Sequence, residues 1–429
     1  MRRVVSLGPR MLLAVLGLLA LAAARPAPGD PHFEQQWALQ RIRAPEAWAV
    51  SQGEGVVVAV VDSGVDLTHP DLVGALVRRA DGTVLGYDFV EGDDDPTDEH
   101  GHGTMVAGIV AARASNGTGV ASVAPRARIM PVRVLNSRAL GPNSTVEQGI
   151  RWAVDHGAHV VNLSLEVDRE EWRATEASGE LTSSLDRAVR YAWSRGVAVV
   201  AAAGNDNADL TDYPSDSPVV LVGATNEHEQ RAVFSDAGRL DALMAPGTNI
   251  VSTWCSPCGS HVKHRIGKSD GTSYAAAHVS GAMALMRAAG YGSATAVSRL
   301  RQTALDTGSY GPDVRTGYGR IDVAAALGLP SPRGGSLKGS SGLVPPRAAD
   351  ALAPSSSSSP RAVPVRPGTQ QAGNSAGADQ EPAASLKAGE TSGSARFWAV
   401  VAAGLLVSAV AALWWVTVRD QLPRWLDKG

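Results

Sequence analysis

The chain has 429 residues, 44% of them hydrophobic and 19% charged, with a formal net charge of −3 at pH 7. That length exceeds one compact domain, and the composition is that of a globular core with appendages. The weak negative charge supplies no field for a polyanion, and neither a glycine-rich phosphate cradle nor a basic-aromatic stripe is present, so nucleic acid is not an expected partner.

Arg2, Arg3 and Arg10 precede an apolar run over residues 11–23, and Ala22-Ala23-Ala24 offers small residues for cleavage. Residues 1–24 therefore read as an export signal. The run 56–61 is apolar and β-branched without alternation, as expected of a central strand in a parallel sheet covered on both faces, and it places Asp62 at a strand's carboxyl end. Residues 129–135, 160–165, 197–203 and 219–222 are predicted as further strands. A helix is predicted over 146–156, opened by Ser144 with Glu147 at capping-box spacing. Another covers 185–195, with Leu185, Ala188, Val189, Ala192 and Trp193 on one face and Gly196 closing it. His102 and Ser273 stand at the starts of apolar helical patterns over 106–112 and 275–286. Alternating strands and helices imply a doubly wound, mainly parallel α/β sheet flanked by helices, whose ligands bind at strand carboxyl ends. This domain is expected over residues 25–330.

Residues 331–395 are rich in Ser, Pro, Gly and Ala, including Ser355 through Ser359, and read as a disordered stalk. Residues 397–418 carry no charge, and at about 1.5 Å per residue they suffice to cross a hydrocarbon layer of roughly 30 Å. Trp398, Trp414 and Trp415 fit interfacial belts around this predicted transmembrane helix. Arg419, Arg424 and Lys428 follow, which puts a tail over 419–429 in the cytoplasm and the rest outside.

Three segments carry the chemistry: Val60-Val61-Asp62-Ser63-Gly64, His100-Gly101-His102-Gly103-Thr104 and Gly271-Thr272-Ser273-Tyr274-Ala275-Ala276. A carboxylate, an imidazole and a hydroxyl, each beside glycines that let backbone approach a substrate, are the parts of an activated serine nucleophile. Their order, Asp then His then Ser, differs from the order in chymotrypsin-like enzymes and in α/β-hydrolases. Together with Ala201-Ala202-Ala203-Gly204-Asn205, the segments resemble the signature blocks of the subtilisin-like serine peptidases, and the resemblance covers roughly residues 35 to 325. It implies Ser273 as nucleophile, His102 as proton carrier, Asp62 as its orienting carboxylate and the Asn205 amide as an oxyanion donor. It also implies that an extended protein or peptide substrate lies along Ser164, Leu165 and Glu166, opposite Ala201, Ala203 and Gly204. No cofactor is needed for this chemistry.

The chain departs from the family pattern at several positions. Glu166 and Val167 stand where two glycines are usual; a carboxylate at 166 would favour a positively charged substrate side chain, unless Glu166 faces solvent. Met105 replaces a His and Ala277 a Pro. The family's opening, resembled by Gln36-Trp37-Ala38-Leu39, follows the export signal by about a dozen residues, too few for a folding prodomain.

Asp93, Asp94, Asp95, Asp98 and Glu99 crowd the loop before His102, a density of hard oxygen ligands that suits structural calcium. The resemblance adds Asp71 as a calcium ligand, completed by the loop 116–120. Cys255 and Cys258 are the only cysteines and are expected to pair as a disulfide in an exported chain, although with His261 and His264 they also form a Cys-x-x-Cys-x-x-His-x-x-His pattern open to zinc, and free thiols are a third option. The export signal, stalk and terminal helix resemble those of mycosins, anchored proteases of actinobacterial secretion systems, which implies a secretion-system partner. The alternative to an enzyme is a catalytically silent surface protein that uses the same cleft to bind peptides or support a secretion assembly.

Overall fold

A computed structural model describes residues 29–165, 184–210 and 217–331. All of these lie in the first of two units into which the chain divides, residues 1–355. The export signal, the stalk and the apolar stretch 397–418 lie outside the described residues, as does Glu166. Among the described residues no helix is long and apolar enough to cross a membrane.

Seven strands form one parallel sheet: β1 (Val57–Asp62), β2 (Tyr87–Asp88), β3 (Arg128–Arg133), β4 (Val160–Leu163), β5 (Ala198–Ala202), β6 (Val220–Thr225) and β7 (Leu243–Pro246). Their spatial order is β2-β3-β1-β4-β5-β6-β7. After β3 the chain crosses β1 and then proceeds steadily in the other direction, so the strand order reverses at β1, where open α/β sheets bind ligands. The predicted strands all form, each trimmed or shifted by up to about three residues.

Alternate side chains of β1 enter two different cores, which explains a strand apolar at every position. Val58 and Val60 pack with α3 (His102–Ala111) and α6 (Thr272–Ala288). Ala59 and Val61 pack with α4 (Asn143–Asp155) and α5 (Ser184–Ser194). Two short helices, α1 (Trp37–Arg41) and α2 (Ala44–Ala47), precede β1; α7 (Ser293–Thr303) and α8 (Val323–Ala326) close the described chain. The helix α6 is buried from Thr272 through Met286, so its small residues are explained by crowding from the sheet rather than by propensity alone.

Two local expectations need correction. The capping box at Ser144 does not form: α4 starts one residue earlier, after Pro142, which has no side-chain donor or acceptor, and Glu147 instead pairs with Arg151 at 3.0 Å. The zinc pattern is also excluded, because Cys255 and Cys258 are disulfide-bonded to each other. That bond sits at the end of β8 (Ile250–Cys255), which pairs antiparallel with β9 (His264–Ser269) in a hairpin that the sequence patterning did not reveal.

Candidate active site

The carboxyl end of β1 delivers Asp62 into the interior. The chain then turns at Gly64, whose φ of +100° and whose position 2.6 Å from Pro96 O, measured at an added Cβ, admit no side chain. Gly103 does the same from the other side: a Cβ there would lie 2.1 Å from Gly64 O. The first turn of α3 is therefore pressed against the turn after β1, and this contact brings His102 to Asp62. His102 Nδ1 lies 2.8 Å from Asp62 Oδ1, which also accepts from Ser63 N at 2.7 Å. Asp62 Oδ2 is buried without a hydrogen-bond partner. Burial on its own would depress the His102 pKa, but the charge and hydrogen bond of Asp62 outweigh it and raise the value above the ordinary 6.5. Burial, followed by the nearness of His102, holds the His100 pKa below 6.5.

Ser273 is the second residue of α6 and is 8% exposed. Its Oγ donates to Ser164 O at 3.0 Å, and Ser164 Oγ donates in return to Ser273 O at 2.7 Å. The exchange continues inward: Asn162 Nδ2 donates to Ser164 Oγ and Ser280 Oγ donates to Asn162 Oδ1, each at 2.8 Å. This buried chain ties β4 to α6 and fixes the backbone that carries the hydroxyl. In the free site the hydroxyl thus rests on Ser164 O, and rotation about its Cα–Cβ bond is the motion that would turn it toward the imidazole.

Asn205 follows β5 through Gly204. Its Oδ1 accepts from Thr272 N at 2.9 Å and from Thr272 Oγ1 at 3.1 Å, while Gly204 N donates to Thr272 Oγ1 at 3.2 Å. These bonds tie Asn205 to the first turn of α6, beside the backbone N–H groups and positive end of that helix. The expected substrate walls also meet here. Leu163 and Ala201 pair in register, so Ser164 and Leu165 leave β4 beside the segment containing Ala203 and Gly204.

The acidic residues near the site are engaged by protein donors. Asp98 is buried and accepts five hydrogen bonds, from Ser63 Oγ, His100 N, Gly101 N, Thr104 N and Thr104 Oγ1, at 2.6–2.9 Å. It clamps the turn after Asp62 to the start of α3. Asp71 is fully buried and accepts from Asn116 Nδ2 at Oδ1 and Val120 N at Oδ2, both at 2.9 Å, with Thr118 Oγ1 also 2.9 Å from Oδ1. A Cβ at Gly119 would fall 1.7 Å from Asp71 Oδ2, so the loop closes directly over the carboxylate. Asp93 and Asp95 fold back on Asp95 N and on Thr97 N and Oγ1. Asp71, Asp93, Asp95 and Asp98 all accept hydrogen bonds from protein donors, and among the described residues no three His, Cys, Asp or Glu converge as a metal site.

Sequence reasoning did not single out Ser63, Thr104, Asn162 or Ser280 for these roles. The usable signal was local for Asp98 alone: an aspartate three residues before a helix-opening glycine, with Thr104 on the first turn, is a plausible cap from outside the helix.

A doubly wound sheet whose switch-point strand ends in a buried aspartate bonded to a helix-borne histidine, with a serine at a second helix start, has the parts a serine hydrolase uses. The chain matches the Subtilase family (Peptidase S8) over residues 53–319, well over half its length, and belongs to that family. It is 37% identical to thermitase of Thermoactinomyces vulgaris over 289 residues, 66% of this chain and 94% of thermitase. It is 38% identical over 303 residues to a thermophilic serine proteinase of Bacillus sp. (strain AK1), covering 70% of this chain and 69% of that protein. Among solved structures, a protease from Pseudoalteromonas arctica PAMC 21717 superposes with a TM-score of 0.58 at 30% identity, covering 70% of this chain and 99% of that one. The chain is a subtilisin-family serine endopeptidase.

Proposed function

We propose that this endopeptidase works outside the cytoplasmic membrane, tethered by residues 397–418, and cleaves peptide bonds with Ser273 as nucleophile. The observation that carries the assignment is the 2.8 Å contact between His102 Nδ1 and Asp62 Oδ1 beside a serine at a helix start. Ser273 Oγ leaves Ser164 O, gives its proton to His102 Nε2 and bonds to the scissile carbonyl carbon. The carbonyl oxygen takes the negative charge, facing Asn205 Nδ2 and the Ser273 amide. His102 then protonates the departing amine, the C–N bond breaks, and water releases the acyl group by the same steps in reverse. Asp62 holds the imidazole in the tautomer that accepts at Nε2 and stabilises it once charged.

Labelling the full chain with a fluorophosphonate tests the assignment. Labelling in the parent and none in Ser273→Ala is the expected result; a folded parent that takes no label would return the cleft to peptide binding without catalysis. The uncharged stretch 397–418 followed by three basic residues supports the tether, and release of the protein by alkaline carbonate would remove it. Glu166 directs specificity toward basic substrate side chains in this reading, and an Arg-over-Leu preference unchanged in Glu166→Gln would sink that part. In this reading the tether confines substrates, and a secretion-system partner, to the membrane's neighbourhood.

A further inference from the structure

The β8–β9 hairpin carries charge that the hydrolytic mechanism does not use. Lys263 precedes β9, and within it His264, Arg265 and Lys268 are exposed like Lys263 itself. Among the described residues Lys263, Arg265 and Lys268 have no carboxylate within ion-pair distance, whereas His264 Nδ1 lies 2.7 Å from the buried Asp66. The neighbouring acids are engaged elsewhere. Glu99 bonds Arg133 at 2.6 Å, Asp98 is the clamp described above, and the exposed Asp270 accepts from Asn249 N at 2.6 Å. Asp270 keeps its own charge, so the excess comes from Lys263, Arg265 and Lys268 against that one exposed carboxylate, positive in a chain of net charge −3.

Lys263 and Arg265 stand on one face of the two-stranded ribbon and Lys268 on the other, and all three have a fixed place relative to the cleft. Trp254, opposite Arg265 in the β8–β9 ladder, lies 3.1 Å from where a Cβ of Gly101 would be, and its ring meets His100 edge-on with centroids 6.5 Å apart. His100 in turn is 6.3 Å, centroid to centroid, from His102. At its other end β9 runs through Asp270 and Gly271 into the nucleophile helix. Lys268 stands five residues before Ser273, at most about 17 Å of chain away, a span that roughly five residues of extended substrate cover. The disulfide, the Trp254 contacts and the His264–Asp66 bond hold the hairpin stiff, so its cations are presented with little ordering left to do on binding.

We propose that the β8–β9 hairpin is an exosite that docks acidic segments of polypeptide substrates beside the cleft through Lys263, Arg265 and Lys268. The proposal rests on the peptidase reading. A polypeptide is favoured over an anionic bilayer because the hairpin is locked to both catalytic loops, and three cations without an exposed apolar anchor adhere weakly to lipid.

The test uses the full chain and two fluorogenic peptides with one neutral core, the second extended at either end in turn by a Gly-Ser spacer and a run of glutamates. At low salt the acidic peptide is expected to show a KM about tenfold lower at equal kcat, with parity restored near 0.5 M salt, where the screening length falls to roughly 4 Å. The variant Lys263→Gln, Arg265→Gln, Lys268→Gln is expected to lose that advantage while cleaving the neutral peptide at the parental rate. Fluorescence anisotropy of the labelled acidic peptide on Ser273→Ala is expected to give the same tenfold preference without turnover. That measurement separates the two readings: no cleavage of the neutral peptide by the parent counts against the peptidase, and equal Kd for the two peptides counts against the exosite. An advantage that survives the triple substitution overturns the proposal. So does a triple variant that loses binding to phosphatidylglycerol vesicles while the parent treats both peptides alike.

Discussion

Asp62 and Asp98 are both buried aspartates, and both touch Ser63, yet their surroundings are opposite. Asp98 collects five donors and has no capacity left. Asp62 uses one oxygen for Ser63 N and His102 and leaves the other with no partner in a region closed to solvent. Asp98 reaches the imidazole only through its charge, the smallest of the influences that raise the His102 pKa, while its hydrogen bonds hold geometry. An unsaturated carboxylate beside an imidazole gains stabilisation as that imidazole takes a proton, which is the differential interaction catalysis needs. The comparison separates scaffold from chemistry among side chains of one type.

The strongest way to break it is to remove the chemical side. Ser273→Ala is expected to lower kcat about 10⁶-fold and Asp62→Asn about 10⁴-fold, magnitudes that other serine-protease triads supply, with the urea midpoint nearly unchanged in both. An Asp62→Asn enzyme within tenfold of the parent would show that Asp62 is scaffold too. Asn205→Ala should cost about 10²- to 10³-fold in kcat with KM little altered, the size known for the equivalent donor in subtilisin; a change confined to KM would make Asn205 a binding residue. On the scaffold side, Asp98→Ala leaves five donors unanswered and is expected to cost about 3–5 kcal/mol in urea unfolding, measured on the Ser273→Ala chain to prevent self-digestion. Stability equal to the parent would end the contrast. The smallest effect is in pH. The reaction needs neutral His102, whose pKa in the fold is raised, so kcat/KM should climb with pH through a midpoint above 6.5, and a midpoint below it would mean that Asp62 does not hold the charged imidazole. The same shift makes the His102–Asp62 pair stabilise the fold most below pH 6.5, a contribution lost as pH rises through the folded value.

Much of the catalytic side was legible in the sequence because each block joins a reactive group to glycines and to an apolar run with one period. The run 56–61 announces β1, so Asp62 falls at its end, and the helical patterns after His102 and Ser273 place both at helix starts. The scaffold side was not legible, because acidic density looks the same whether carboxylates converge on a cation or fold back on their own backbone. What decides is the position of Thr97, Thr104, Asn116 and Thr118, and those are set by tertiary closure of the loops. The capping box failed for a local reason: Pro142 is the N-cap and its carbonyl accepts from Thr145 N, so Ser144 falls inside the first turn. The β8–β9 hairpin escaped notice because residues 264–269 mix charge, glycine and one isoleucine without alternation.

The residues of the proposed mechanism are drawn from positions 62, 102, 205 and 273, a spread of more than two hundred residues joined through the neighbouring strands β1, β4 and β5 and two helices. No fragment of the nascent chain holds all of them, and parallel strands far apart in sequence pair late. On that mechanism, a chain that ends just before position 273 carries the carboxylate and the imidazole but nothing for them to activate.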